Sequence, residues 1–231
     1  MLQAIALTKQ FEQYTALRNL DLHIPKGEIF CLLGQNGAGK TTTINLFLGF
    51  IKPTSGSILI NGEDITTSAD PRKHTAYIPE VVMLYGNLSA LENLDFFSRI
   101  AGFKYSTAQM KDFLSQAGLQ AEAFDKRLGG FSKGMRQKVG IAIAIAKDAR
   151  VIFMDEPTSG LDPKATNEFT EIVTALGRQG KTILMATHDL FNAVNVGTRL
   201  GIMRRGELVY TLSTADINAS DLQKLYLETI A

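Results

Sequence analysis

The run Gly34-Gln-Asn-Gly-Ala-Gly-Lys-Thr-Thr42 constrains this chain more than any other segment. Gly34, Gly39, Lys40 and Thr41 fall on the fixed positions of the eight-residue phosphate-loop spacing. Glycines let the backbone curl until successive N–H groups point inward at an anion. Lys40 then reaches the terminal phosphates, and the Thr41 hydroxyl can ligate Mg²⁺. The flanks agree. Glu28-Ile-Phe-Cys-Leu-Leu33 reads as a buried strand, and Lys40 to Phe50 reads as a helix. A helix N-terminus that follows a strand is an anion site. The segment from Gly34 through Gln35, Asn36, Gly37, Ala38, Gly39, Lys40, Thr41 and Thr42 is therefore expected to bind a nucleoside triphosphate.

The rest of the chain bounds the machine that uses this loop. Its 231 residues are 45% hydrophobic and 20% charged, which suits a globular chain with a sizeable core. One α/β domain with an insertion and two small domains both fit this length. The net charge of +1 gives no basic surplus for neutralising nucleic-acid phosphates, so no nucleic acid is expected as partner. The one cysteine, Cys31, lies in the apolar strand before the loop and reads as a buried, inert thiol. It excludes a disulfide within the chain, which fits a reducing compartment. Residues 1–7 lack a basic start, and no apolar run approaches spanning length, so neither a signal peptide nor a membrane span is expected.

Along the chain, the first part reads as strand-rich. Leu17, Leu20, Leu22 and Ile24 mark an amphipathic strand with His23 on its polar side. Gly56 to Asn61 reads as a strand before an Asn61-Gly62 turn, and Ile65 to Thr75 as a polar loop. From 81 to 147 the pattern is helical. Ser89 and Glu92 have capping-box spacing, Thr107 to Ala117 ends at Gly118, and Ser132 caps a helix to about Lys147. The α/β pattern then resumes. Val151 to Met154 is a strand, and Pro163 to Leu176 a helix with proline at its start. Lys181 to Ala186 is a strand, Asp189 to Val196 a helix, and Arg199 to Met203 and Glu207 to Tyr210 short strands. Asp221 to Ile230 is a terminal helix.

Val151-Ile-Phe-Met-Asp-Glu-Pro157 is an apolar strand that ends in two acids. Beside a phosphate loop, Asp155 can hold Mg²⁺ through water, and Glu156 can polarise the attacking water as general base. A strand-end acid pair also commonly caps the next helix; the upstream loop favours the chemical reading.

Six ordered motifs, spanning essentially the full length, resemble the ABC-type ATPases, the nucleotide-binding subunits of ABC transporters. Gly130-Phe-Ser-Lys-Gly-Met-Arg-Gln137 resembles the family signature, with Ser132 and Gly134 on its serine and second glycine, while Lys133 and Met135 depart from its usual glycine and glutamine. Ser159-Gly-Leu-Asp162 resembles the loop that crosses the dimer interface, and Thr187-His188-Asp189 the switch-histidine loop. Phe11 matches the aromatic that stacks on adenine, with Tyr14 a nearby alternative. Tyr77-Ile-Pro-Glu80 falls where the family usually has a glutamine. Blander readings stand beside these. Phe11 can be a core aromatic, His188 a structural strand-end histidine, Ser132 an ordinary cap, and Glu80 a loop acid.

The resemblance implies a mixed-sheet α/β core over residues 1–80 and 148–231, with an antiparallel β region and an inserted helical subdomain over 81–147. It implies ATP and Mg²⁺ as cofactors, the metal near Thr41, Asp155 and Glu80. Lys40, Glu156 and His188 would be catalytic. Ser132, Gly134 and Asp162 would serve ATP on an opposing subunit in a homodimer or heterodimer. Integral membrane permease subunits would hold the pair at the cytoplasmic face of the membrane. The FSKGM and YIPE variants resemble the type-2 exporter branch. Two other classes are weighed. DNA-repair relatives carry long coiled-coil or zinc insertions, and ribosome-acting relatives carry paired domains with basic linkers; this sequence shows neither. A regulatory module with little turnover has Glu80, Lys133 and Met135 in its favour, and Glu156 and His188 against it.

Overall fold

The computed structural model describes residues 1–66 and 71–230. The chain opens with β1 (Leu2–Phe11) and β2 (Tyr14–Ile24), then β3 (Ile29–Leu33) leads through the glycine loop into α1 (Lys40–Phe47). β4 (Ser55–Ile60), β5 (Glu63–Asp64) and β6 (Thr75–Ile78) follow. Three helices come next: α2 (Ala90–Ile100), α3 (Thr107–Gln116) and α4 (Lys133–Ala146). The remainder alternates: β7 (Val151–Asp155), α5 (Pro163–Arg178), β8 (Thr182–Thr187), α6 (Leu190–Val196), β9 (Arg199–Arg204), β10 (Glu207–Ser213) and α7 (Ala219–Ile230).

Two sheets form. One is four-stranded and antiparallel, in the order β2-β1-β4-β5; the other is six-stranded, in the order β10-β9-β3-β8-β7-β6. In the larger sheet β9, β3, β8, β7 and β6 run parallel, and β10 is antiparallel to β9. This is the expected α/β class, with its mixed sheet and antiparallel region. The parallel strands are apolar on both faces because both are covered. Phe30, Leu32, Phe153, Leu184 and Ala186 point towards the antiparallel sheet, with Ile44, Leu46 and Phe47 of α1 packed between. Cys31, Leu33, Ile152, Met154, Ile183 and Met185 point the other way, into a core shared with the remaining helices. Cys31 is buried there, as its apolar setting implies, and burial pushes its thiol far above the ordinary range.

Several local readings hold. His23 is exposed on β2. Asn61 and Gly62 both take positive φ, 57° and 81°, in the turn that joins β4 to β5, as a tight hairpin of this twist requires. The three-residue step from Leu17 to Leu20 keeps both inward because the β1–β2 register shifts between them, with Asn19 at φ 46°. Other readings needed correction. The Ile65–Thr75 loop reading ends one residue late, since Thr75 begins β6; residues 67–70 lie outside the described part. The first helix stops at Phe47 rather than Phe50. β6 itself is four residues long and carries no clean alternation, so its β-favouring Thr75, Tyr77 and Ile78 are too short a run to mark a strand by themselves. It exists because it pairs in parallel with β7, from Thr75↔Val151 to Ile78↔Met154.

Ser89 closes the capping box read from its spacing. Its hydroxyl accepts from Glu92 N–H at 3.2 Å, and its own N–H donates to Glu92 Oε2 at 2.7 Å. Leu91 and Leu94 of that helix enter the core. Ser89→Ala is expected to cost about 1 kcal/mol, the scale of an N-cap loss. Urea unfolding checks it: the midpoint should fall with the slope unchanged. An unmoved midpoint would show that the cap contributes nothing to stability.

Candidate nucleotide-binding site

Four neighbouring parallel strands deliver the site at their C-terminal ends, the edge where open α/β sheets bind ligands. β3 ends in the glycine loop, β8 in His188, β7 in Asp155 and Glu156, and β6 in Pro79-Glu80. The loop wraps tightly. Gly39 sits at φ 109°, and a Cβ there would lie 2.8 Å from the Ala16 carbonyl oxygen and from a Leu17 methyl. Only glycine fits both the dihedral and the space. Gly39 stands at the N-cap of α1 and offers no side-chain cap. The helices α2 to α6 are each capped by a serine or aspartate. The first-turn N–H groups of α1 thus remain available to an anion.

Lys40 is only 5% exposed. Its ammonium donates to the Gly34 carbonyl at 2.7 Å and the Gln35 carbonyl at 3.3 Å, and lies 3.3 Å from Glu156 Oε1. Glu156 leaves the strand sharply, at φ 47°. A non-glycine residue in this left-handed region costs on the order of 1–2 kcal/mol, and such positions cluster at functional sites. Its N–H remains bonded to the Ala186 carbonyl at 2.8 Å, so β8 anchors the kink. The other carboxylate oxygen, Oε2, accepts from His188 N–H at 3.2 Å and lies 2.8 Å from His188 Nδ1. Facing a carboxylate, Nδ1 carries the proton. Asp155 is buried, and its Oδ1 finds no hydrogen-bond partner. Burial raises its pKa above the usual carboxylate range; a hydrogen bond from Thr41 opposes this, while the nearby Glu156 and Glu80 charges add to it.

A cleft of about 280 Å³ joins Tyr14, the loop from Gln35 to Thr42, Glu80, Asp155 and Glu156. The structure therefore brings together Lys40, Thr41, Asp155, Glu156 and Glu80, and sets His188 behind Glu156. Tyr14 also lines the adjoining cleft, which Arg18, Arg204 and Arg205 border, and its hydroxyl donates to the Gly37 carbonyl at 3.1 Å. Phe11 is 43% exposed at the end of β1, opposite Tyr14, with Lys9 Nζ 4.6 Å from its ring centroid. It lines neither cleft. Ser132 caps α4 by accepting from Met135 N–H at 3.3 Å, and Asp162 caps α5 by accepting from Ala165 N–H at 2.9 Å. Gly134 lies against this second helix start, near Ala165 and Leu161. None of these three lines the phosphate-loop cleft of its own chain.

Sequence reasoning missed Gln137. It is fully buried, and its side-chain amide donates to the Pro79 and Glu80 carbonyls at 3.2 and 3.1 Å. Nothing in the sequence marked it, since Gln137 stands between Arg136 and Lys138 in the polar first half of α4.

A glycine loop between a parallel strand and an uncapped helix, with a buried lysine and strand-end acids, defines a P-loop nucleoside-triphosphate-binding domain. Residues 17–159 match the family model for the ABC transporter, over half the chain, and the chain belongs to that family as an ABC-type ATPase domain. It is 35% identical over 210 residues to the lantibiotic transport ATP-binding protein SrtF of Streptococcus pyogenes, covering 90% of this chain and 89% of that one. To the probable multidrug ABC transporter ATP-binding protein YbhF of Escherichia coli it is 32% identical over 225 residues, covering 95% of this chain but spanning only 38% of that protein. Among solved structures, an ATP-binding subunit of an ABC transporter superposes with a TM-score of 0.84 at 30% identity, covering 99% and 98% of the two chains. The cassette MJ0796, as a dimer in a post-hydrolysis state with ADP and Pi, gives 0.82 at 26% identity, covering 93% and 99%.

The raised Asp155 pKa makes a stability claim. A folded value above the unfolded one means the native chain holds that proton more tightly, so Asp155 opposes folding increasingly as pH rises through this window. Asp155→Asn should therefore melt above the wild type at pH 7. The advantage should shrink as pH falls towards about 4, the unfolded carboxylate range. A melting difference that does not change with pH would contradict it.

Proposed function

We propose that this chain binds and hydrolyses ATP as the motor of an ABC transporter, and that it works as a dimer beneath membrane permease subunits. The observation that carries this reading is the Glu156 carboxylate, kinked off β7 and held between Lys40 and His188. Lys40 has two uses. Against Glu156 it balances a carboxylate in the cleft; turned to the terminal phosphates it releases Glu156 Oε1. Glu156 then takes the proton of a water whose oxygen attacks the terminal phosphorus, and ADP departs. His188 steadies the carboxylate through Oε2. Backbone N–H groups of the loop and of the α1 first turn hold the phosphates. The Thr41 hydroxyl and the unpartnered Asp155 oxygen form a hard-oxygen pair suited to Mg²⁺. Bound there, Mg²⁺ would offset the charge on the phosphoryl oxygens. Glu80 shares this cleft and is the third candidate oxygen ligand.

Ser132 and Gly134 at the start of α4, with Asp162, are assigned to the ATP of the opposing subunit, because none lines the cleft of its own chain. Residues 81–147 are read as a helical subdomain: α2, α3 and α4 all fall there, and the described residues between β6 and β7 hold no named strand. Val81, Met83, Tyr85, Phe96 and Ile100 are exposed along it, and Phe50 lies near its edge. An apolar surface of this kind suits a protein partner, and we assign it to the permease. Among the described residues, no helix is long and apolar enough to cross a membrane, so a span would come from that partner. SrtF and YbhF are named for lantibiotic transport and multidrug transport, and an exporter role is proposed here on that likeness.

Two measurements test this reading. Glu156→Gln should slow hydrolysis by roughly 10²–10⁴-fold, the scale of a lost general base, while ATP still binds through Lys40 and the loop. That variant should collect as an ATP-bound dimer in light scattering. Full turnover in Glu156→Gln would remove the base from Glu156. The second concerns adenine, which we place on Phe11, with Tyr14 bracing the loop through Gly37. Phe11→Ala should weaken ATP binding by about 1–3 kcal/mol, the scale of base stacking. Tyr14→Ala, which removes the alternative ring together with one exposed hydrogen bond, should do less. The reverse order in a fluorescent-nucleotide titration would place adenine on Tyr14.

A further inference from the structure

Two departures from the family pattern, Glu80 and Lys133, meet in space. Lys133 Nζ lies 3.6 Å from Glu80 Oε1. Ser159 joins both: its hydroxyl donates to Glu80 Oε1 at 2.9 Å, and its carbonyl accepts from Lys133 Nζ at 2.6 Å. One helix face makes the contact. Lys133, Gln137 and Gly140 stand on a single stripe of α4, at i, i+4 and i+7. Gln137 binds the Pro79 and Glu80 carbonyls, and a Cβ on Gly140 would lie 3.3 Å from Val82. The start of α4, the 79–82 segment and the loop after the acid pair are thus tied at one point.

The charges explain why the two departures belong together. Glu80 lines the phosphate-loop cleft beside Asp155 and Glu156. A third carboxylate there repels its neighbours and any phosphate. Lys133 is the first residue of α4, and a cation at a helix N-terminus is unfavourably placed against the helix dipole. Each charge is poorly sited alone, and each is offset by the other.

We infer that Lys133 is a positioning residue, whose ammonium, with Ser159, holds Oε1 of the Glu80 carboxylate in a clasp turned from the nucleotide's phosphates, leaving Oε2 as the oxygen open to the metal. Glu80 and Lys133 act as one charge-compensated pair in this site. The inference rests on the ATP reading above and adds a pairing that reading does not require. Losing the clasp would free a negative charge into the cleft and raise the KM for ATP more than it lowers kcat.

The test is a double-mutant cycle on the full chain. Lys133→Ala should raise the KM for Mg-ATP by about two- to fivefold, the range of a partly exposed ion pair. In a Glu80→Gln background, where no charge needs holding, the same substitution should move KM by less than about 1.5-fold, by the same logic of coupled neighbours. Lys133→Arg, which keeps the cation, should have the smaller effect of the two Lys133 variants. Equal effects of Lys133→Ala in both backgrounds would overturn the inference, and would instead assign Lys133 to the phosphates of an opposing subunit. If the wild type shows no turnover, the hydrolysis reading fails. The cycle is then read from fluorescent-nucleotide affinities, where coupling upholds the clasp and its absence rejects it.

Discussion

A buried ammonium must be paired, and the site is organised around that need. Lys40 is nearly inaccessible, and its charge is met by two loop carbonyls and by Glu156. Burying a cation without partners costs several kcal/mol, so the loop must curl until Gly34 and Gln35 present their oxygens. The curl in turn demands glycine at position 39, where any Cβ would strike β2. The same closeness positions the Glu156 carboxylate, because it supplies the remaining negative charge. Loop shape and the placement of the acid are thus two consequences of one electrostatic requirement.

Strand order does the rest. β3, β8, β7 and β6 are consecutive neighbours in one sheet, and each ends at the same edge. Side chains far apart in sequence arrive together at that edge, Lys40 and Thr41 on the first turn of α1 and the others just past the strand ends. The kink at Glu156 is tolerated because its N–H is still bonded to Ala186 of the next strand. His188, the residue after that strand, then lies beside the carboxylate as a matter of register. Asp155 sits opposite Ala186 in the ladder, so the acid pair and the histidine turn are fixed to one another.

What could be read from the sequence follows what is local. The loop, the capping box at Ser89, the cap at Ser132, the proline start of α5, and the apolar strands β3, β7 and β8 all carry their cause within a few residues. β6 does not. Its four residues become a strand by pairing with Val151 to Met154, about 76 residues downstream. The Glu80 position was legible as a departure from a pattern, but its engagement with Lys133 and Ser159 depends on how α4 lies along the 79–82 segment. Gln137 was invisible as a site residue for the same reason. The placement of Phe11 also rests on likeness, since no spacing rule says which of two aromatics at a hairpin turn faces a cleft.

The residues assigned to an opposing subunit differ in what they can still offer. Ser132 uses its oxygen as a cap acceptor, yet its hydroxyl keeps a proton to donate. A phosphate oxygen can take that proton without disturbing the helix start. Asp162 is different. Its carboxylate accepts from Ala165 N–H and has no proton to give when ionised. Set directly against phosphates it would repel them, so under the proposed dimer it would serve the opposing ATP through a donor on the partner: an N–H, a hydroxyl or a cation. Gly134 contributes by what it lacks. Its Cβ position lies 3.4 Å from Ala165, ordinary contact distance, so the glycine lets the two helix starts lie close together. The two helix starts form one surface, with a donor at Ser132 and an acceptor at Asp162; in the proposed dimer an opposing site would meet the first with an acceptor and the second with a donor.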